Sequence, residues 1–327
     1  MKDSFTPEAI ISDFLKGRLN FTLAADLLIS LLEKSNNPEL RKKSILALER
    51  LKGSNEKIFN ILENCLLSDE NHFVRSAAAK LIGQAYLKYG VKTLLWVIQH
   101  DKSPIVIQTI IDMAENETFF QFKSIEKAIS NWIDVFSSHI GVVPKESRFF
   151  LDLEVFFAHD KYDYEITPLT YTYYKKISCI KDDPWLLINN KHVEALNFNY
   201  FNWYFLKINQ DIIDSFIDIR DLDTFLDLYK KFELRKFNSP TIPKSLIYLD
   251  SLKKLILKRN NIGKFPEFIT QIESLQEIDL SYNYIREIPE SIMSLKNLKI
   301  LKLNNNIIHK IPKRMKSYLS SLQIFDK

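Results

Sequence analysis

Residues 252–266 read LKKLILKRNNIGKFP, and the same pattern returns as LQEIDLSYNYIREIP (275–289) and LKILKLNNNIIHKIP (298–312), each 23 residues after the last. Each copy has apolar residues at its first, fourth and sixth positions, an asparagine at the ninth and a proline at the fifteenth. A fixed period of this length marks stacked repeats, in which each unit packs against its neighbours. The C-terminal part of the chain is therefore predicted to be a solenoid.

Within each copy, the apolar spacing predicts a short strand whose leucines point into a core while the residues between them face outward. Asn260, Asn283 and Asn306 stand where the chain must turn out of the strand, so their amides are expected to satisfy buried backbone groups. The proline then favours an extended return segment. We predict an α/β solenoid with a short-stranded parallel sheet, in which the asparagines are structural.

Weaker copies of the pattern precede the clear ones. Residues 193–198 (VEALNF) and 229–234 (YKKFEL) keep the apolar spacing without the asparagine. We therefore assign residues 193–327 to the repeat domain, with clear repeats from about residue 229.

The first third of the chain indicates a second, helical repeat. Residues 69–78 (DENHFVRSAA) begin with an aspartate and continue to a valine–arginine pair, and this opening returns at Asp101 and, as a serine, at Ser35. The copies lie between stretches with helical apolar spacing, and Pro38 and Pro104 mark helix starts. The aspartate or serine is expected to cap the second helix of each pair. We assign residues 1–138 to such helical pairs.

Residues 139–192 lie between the two repeat regions and are rich in aromatic residues. Because the ends of a solenoid expose a hydrophobic cross-section, this block is predicted to be a junction that caps them. A pocket for an aromatic ligand or peptide, or an enzyme site, is the alternative. His159 and Cys179 lie in the block, but no activating motif surrounds either residue. We therefore predict a protein without catalytic activity.

The clear copies follow the spacing LxxLxLxxNxIxxIPxxIxxL, which resembles the 23-residue intracellular class of leucine-rich repeats. Plant disease-resistance-like proteins and the Ras-pathway scaffold group belong to that class. The resemblance covers about residues 229–322, and the N-terminal pattern resembles HEAT repeats. Together these resemblances imply an α-solenoid of HEAT-like helical pairs followed by an α/β leucine-rich-repeat solenoid. They imply a scaffold or adaptor that binds a protein partner.

Composition narrows the functional classes. No two of the six glycines lie within two residues of each other, so neither a GxGxxG motif nor a P-loop can be written. The six histidines lack the spacing of a helical metal site, and the two cysteines lie too far apart in sequence to suggest a disulfide framework. No apolar run approaches the length of a membrane span. These features favour a cytoplasmic protein without metal or cofactor.

Charge is distributed unevenly along the chain. Residues 228–327 hold 19 Lys and Arg against 9 Asp and Glu, whereas the rest of the chain is net acidic. A basic C-terminal module fits an acidic protein partner. Nucleic acid or another anionic surface is the alternative partner, although lysine predominates, acids are interleaved and no known nucleic-acid-binding motif is present.

The outward positions of the repeat strands, on the predicted concave face, are the predicted partner contacts. They begin with a basic patch and continue into acidic and amide residues. The predicted contact residues are Lys231, Arg235, Lys254, Lys258, Arg259, Glu277, Asp279, Tyr282, Lys302 and Asn305.

The C-terminal edge of the predicted sheet has little chain to cover it. An uncovered strand edge invites pairing, so a homodimer through this edge is expected as one solution. Coverage of the edge by Tyr318 and Phe325 is the other.

Overall fold

The structure, a computed structural model, describes residues 6–53, 55–115, 123–158, 186–198 and 242–327. The chain divides into two compact units. Of the described residues, 6–53, 55–115, 123–135 and 154–158 belong to the first unit, and 136–153, 186–198 and 242–327 belong to the second. Among the described residues, no helix combines the length and apolar character needed to cross a bilayer.

The first unit is helical, and its helices bury apolar residues against their neighbours. Helix α3 packs against α2 and α5, and α5 packs against α4 and α7. Ala78 and Ala79 are fully buried in α5, where their small side chains let neighbouring helices approach closely. The helices are α1 (Pro7–Leu15), α2 (Phe21–Lys34), α3 (Pro38–Arg50), α4 (Glu56–Ser68), α5 (His72–Ala85), α6 (Leu87–His100), α7 (Pro104–Glu115), α8 (Lys123–Ile140) and α9 (Pro144–Ala158), the last two running across the unit boundary.

At the starts of α3 and α5, asparagines cap the helix rather than the serine or aspartate of the repeated opening. Asn37 accepts from Glu39 N at 2.9 Å at the start of α3, and Asn71 accepts from Phe73 N at 2.9 Å at the start of α5. The expectation that the residue at the front of the pattern caps the second helix is wrong for these two pairs.

The repeated aspartates instead join successive helical pairs. Arg41 donates to both carboxylate oxygens of Asp69, at 2.7 and 2.8 Å, and Arg75 does the same to Asp101, at 2.8 and 3.1 Å. In each of these two pairs the guanidinium donates two hydrogen bonds to one carboxylate. Such a bidentate ion pair is stronger and more directional than a neutral hydrogen bond. The series stops at Asp101 because Ile107 stands where the next arginine would be.

In the part of the second unit that the structure describes, the sheet has six strands that lie side by side in chain order: β1 (Leu186–Asn189), β2 (His192–Asn197), β3 (Lys254–Ile256), β4 (Glu277–Asp279), β5 (Ile300–Lys302) and β6 (Ile324–Asp326). The first pair of strands is antiparallel and all later pairs are parallel. Leu255, Ile278 and Leu301 share one register and are fully buried, as the apolar spacing predicts. The 3-10 helix Lys244–Tyr248 precedes β3, a second (Glu267–Gln271) connects β3 to β4, a third (Glu290–Ser294) connects β4 to β5, and α10 (Lys313–Ser321) connects β5 to β6.

Hydrogen bonds of the repeated asparagine side chains join each turn to the turn of the preceding repeat, and we call these bonds the asparagine ladder. The Asn283 side chain accepts from Asn260 N at 2.9 Å and from Ile262 N at 3.0 Å, one repeat earlier. Its amide donates to Leu257 O and Leu280 O, each at 2.9 Å. Buried backbone groups that leave a strand need such partners, so the predicted structural role of the asparagines is confirmed.

The start of α9 covers the β2 side of the sheet. Glu146, only 1% exposed, accepts from Val193 N at 2.8 Å and contacts His192 Nδ1 at 2.9 Å. Phe149 is fully buried, with its ring centroid 6.3 Å from that of Phe198. Glu146 and Phe149 of the aromatic block thus pack on the repeat sheet, while residues 159–185 lie outside the described residues.

At the other end of the sheet, β6 pairs with β5, and α10 packs against the last 3-10 helix. The Tyr318 hydroxyl donates to Leu295 O at 2.8 Å, and burial raises the pKa of Tyr318 to about 12. Tyr318 therefore helps to hold α10 against the preceding repeat.

Candidate interaction surface

Outward-facing residues of β2 to β6 form a surface that we call the strand face. The parallel register aligns Lys254 with Glu277 and Ile300, and it aligns Ile256 with Asp279 and Lys302. Adjacent rows lie about 4.8 Å apart, so side chains on neighbouring rows reach one another.

A shared carboxylate lies at the centre of the strand face. Glu277 is 3.9 Å from the ammonium group of Lys254 and 3.4 Å from that of Lys302. Because one carboxylate faces two ammonium groups, this cluster of three side chains has a net positive charge. Each half-exposed pair contributes little by itself, about 0.2–1 kcal/mol.

Two cations converge on one aromatic ring at the end of the strands. The Lys258 ammonium lies 5.2 Å from the Tyr282 ring centroid, and the Arg259 guanidinium lies 4.5 Å from it. Both distances fall within the range of a cation–π contact. Arg259 and Tyr282 adopt left-handed backbone conformations, with φ of 58° and 56°, as does Asn305 at the equivalent position of the next repeat. The repeated turn therefore presents these three side chains in one row.

Family profiles match both units. The profile for HEAT repeats matches residues 17–83, and the profile for leucine rich repeats matches residues 250–308 and 273–326. The chain carries HEAT repeats and leucine-rich repeats. Both families predicted from the sequence are thereby confirmed. No curated protein and no solved structure matches the chain.

Repeats of both families commonly serve as protein-interaction scaffolds and are generally non-catalytic. Among the described residues, no group of three or more His, Cys, Asp or Glu side chains is arranged to hold a metal ion. A cavity of about 300 Å³ in the HEAT unit is lined by Leu48, Ile58, Leu81 and Tyr86, among others. Cys65 is buried in the same unit, and burial raises the pKa of its thiol to about 11, so it is a poor nucleophile at neutral pH.

One predicted contact on the leucine-rich repeats is buried. Asp279 is only 8% exposed, and its carboxylate accepts from Ser281 N at 2.9 Å and from the Ser281 hydroxyl at 2.5 Å. The expectation that Asp279 faces solvent is wrong, because a local turn of its own chain occupies the carboxylate. Lys254, Lys258, Arg259, Glu277 and Lys302 are half-buried on the strand face, and Tyr282 and Asn305 are exposed.

Two further predicted contacts, Lys231 and Arg235, lie outside the described residues. The sheet position next to β3, which the 23-residue spacing assigned to residues 231–233, is occupied by β2. The expectation of a basic row there is wrong for this position, since Ala195 and Asn197 stand opposite Lys254 and Ile256. The apolar pattern of residues 193–198 was the signal for this strand.

Two exposed apolar residues were missed by the sequence reasoning. Tyr284 is 58% exposed and Ile307 is 40% exposed, each directly after a repeated asparagine. Comparing the tenth position of the three copies, which reads Asn261, Tyr284 and Ile307, would have revealed them.

Proposed function

We propose that the protein is a non-catalytic scaffold that binds a protein partner through the strand face of its leucine-rich repeats. The observation that carries this proposal is the set of cations that converge there: Lys254 and Lys302 around Glu277, and Lys258 and Arg259 over Tyr282. The face is a series of side-chain rows on neighbouring strands, and such an extended surface suits a macromolecule better than a small ligand.

The sign of the charge favours an acidic partner. Four cations on the face are opposed by three acids, Glu277, Asp279 and Asp326, and the Asp279 carboxylate is turned toward Ser281. A positive face attracts an acidic surface at a distance and disfavours a basic one. The tyrosine adds apolar area that a bound partner can cover, and tyrosine is frequent at the centres of interfaces.

The test compares which proteins three purified forms of the full chain capture from native lysate. The first is wild type, the second carries Lys254→Glu, Lys258→Glu and Arg259→Glu, and the third is a control that carries Lys299→Glu, Lys313→Glu and Lys316→Glu. The control has the same change of net charge at exposed positions off the strand face. Circular dichroism and thermal melts establish that all three forms fold.

The expected result is a protein captured by wild type and by the control form but lost from the strand-face form. Equal capture by all three forms would contradict the assignment of the face. If nucleic acid is captured instead, its binding should weaken steeply with salt, and the scaffold proposal would be replaced by the basic-surface alternative.

A further inference from the structure

A second cluster of exposed residues lies at the ends of the strands, where the repeated asparagines turn the chain. Its apolar members are Tyr282, Tyr284 and Ile307, which are 40%, 58% and 40% exposed. Tyr284 N donates to Ile262 O at 2.8 Å, and Ile307 N donates to Ile285 O at 3.0 Å. These equivalent bonds put Tyr284 and Ile307 at the same position of successive repeats, about 4.8 Å apart. We call this surface the asparagine-turn edge.

The fold does not require apolar side chains at these positions. The core residues of the turn are the ones that follow, Ile262, Ile285 and Ile308, and all three are buried. The first repeat has Asn261 where the next two have Tyr284 and Ile307. Single exposed apolar residues are ordinary on protein surfaces, but adjacent ones form the kind of patch that marks an interaction site.

The turns that carry the cluster are rich in cations. Lys264, Arg286 and Lys310 are exposed on the same turns, and Arg259 is half-buried beside Tyr282. Glu287 is the acid on these turns. An apolar centre of tyrosine and isoleucine within a charged border, rich in arginine and lysine, has the anatomy of a protein-binding site for an acidic segment.

We propose that the asparagine-turn edge is a second docking surface, which takes an acidic segment of a protein partner with an aliphatic or aromatic residue as its apolar anchor. This surface adjoins the strand face and shares Tyr282 and Arg259 with it, whereas Tyr284 and Ile307 belong to the asparagine-turn edge alone. A protein segment is favoured over single-stranded nucleic acid because base stacking needs open ring faces. The Tyr282 ring is already in contact with Lys258 and Arg259, and Ile307 has no ring, which leaves Tyr284 as a single stacking platform in this cluster where a strand of bases uses several.

The test selects short random peptides, displayed on phage, against the full chain. The selected peptides are then synthesised, and their affinities are measured by fluorescence anisotropy. The edge variant carries Tyr284→Ser and Ile307→Ser, and its matched control carries Tyr248→Ser, an exposed tyrosine on the first 3-10 helix of the same unit. A second variant, Arg286→Glu with Lys310→Glu, reads the charge alone and is compared with Lys313→Glu and Lys316→Glu. It also keeps the test valid if the apolar variant misfolds.

We expect enriched peptides to combine Asp or Glu with at least one large apolar residue. The edge variant should lower their affinity by at least about tenfold, whereas the Tyr248 control stays within about twofold of wild type. The charge variant should weaken binding and reduce its salt dependence.

Three results would overturn the proposal. One is a selection that yields no binder or only peptides without acidic residues. The second is affinity that depends on Lys254→Glu with Lys302→Glu but not on the edge variants, which would support the strand face alone. The third is tight binding of a fluorescein-labelled single-stranded RNA that is lost in the edge variants, which would make the edge a nucleic-acid surface.

Discussion

Replacing Asn283 by alanine tests the hydrogen bonds that hold one leucine-rich repeat to the next. The side chain is 3% exposed, and it accepts from Asn260 N and Ile262 N while donating to Leu257 O and Leu280 O. Leu280 O also accepts from Asn306 at 2.9 Å and would keep that bond. The substitution therefore leaves two backbone N–H groups and one carbonyl in need of partners.

A buried polar group without a partner costs about 1–3 kcal/mol. Three such groups would cost about 3–9 kcal/mol, and entry of water at this turn lowers the figure because water can replace part of the lost bonding. We expect Asn283→Ala to lower the free energy of unfolding of the repeat unit by about 3–5 kcal/mol. Asn304 is half-buried and is not one of the repeated asparagines that bond to the preceding turn, so Asn304→Ala should lower the free energy of unfolding by less than about 1 kcal/mol.

Urea unfolding followed by hydrogen-exchange mass spectrometry provides the assay. Peptides covering β3 to β5 report on the repeat unit separately from the HEAT unit, so a shared transition is not assumed. A loss for Asn283→Ala no larger than that for Asn304→Ala would refute the reasoning.

Asn283→Asp gives a second check through pH. The introduced carboxylate keeps an acceptor for the two N–H groups but loses the donor that faces Leu257 O and Leu280 O. The folded state then favours the protonated form and raises the pKa of that carboxyl. Stability should therefore be present at low pH and lost as the pH rises toward neutrality, relative to wild type. A difference from wild type that does not change with pH would contradict the assigned donor role.

Two further predictions concern the HEAT unit. Arg75→Ala should lower its free energy of unfolding by about 2–3 kcal/mol, because the Asp101 side chain, 6% exposed, loses both hydrogen bonds to the guanidinium. Arg18→Ala, at an exposed ion pair, should cost under about 1 kcal/mol. If the two variants lose equal protection from hydrogen exchange in α5 and α6, the proposed bridge is contradicted. Burial raises the pKa of the Cys65 thiol to about 11. The stability that the protonated thiol contributes to the folded state is therefore complete below the unfolded pKa of about 8.5, and it is lost as the pH rises through about 11. Wild type should lose about 3 kcal/mol more than Cys65→Ala across that range, and parallel pH profiles would disprove this.

The sequence predicted the parts of the fold in which a local pattern repeats without interruption. The identical spacing around Leu255, Ile278 and Leu301 determines the register of β3 to β5, because every strand meets a copy of itself. Spacing alone could not show that β2 lies next to β3. Residues 198–253 separate these two strands in sequence, and the 23-residue count pointed to residues 231–233 instead. An insertion removes the regular spacing on which the count depends.

The misplaced side chains have a different cause. Asp69 and Asn71 are both good capping residues, and only the distant Arg41 shows that Asp69 forms the bridge while Asn71 forms the cap. Asp279 occupies an outward strand position, yet a bond to Ser281 two residues later draws its carboxylate inward. Such choices depend on which partner wins in three dimensions, and a periodic pattern does not record them.

The asparagine ladder makes the length of the repeat sheet adjustable. Asn283 bonds to atoms 21 and 23 residues earlier, and Asn306 donates to Leu280 O, 26 residues earlier, so each turn draws its bonds from the turn before it. A duplicated block of 23 residues would bring its own asparagine and its own recipients. Each added block would extend the strand face and the asparagine-turn edge together, by about 4.8 Å. Gene duplication can therefore lengthen both surfaces in equal steps while every existing contact is preserved, which gives this architecture a ready route to partners of different size.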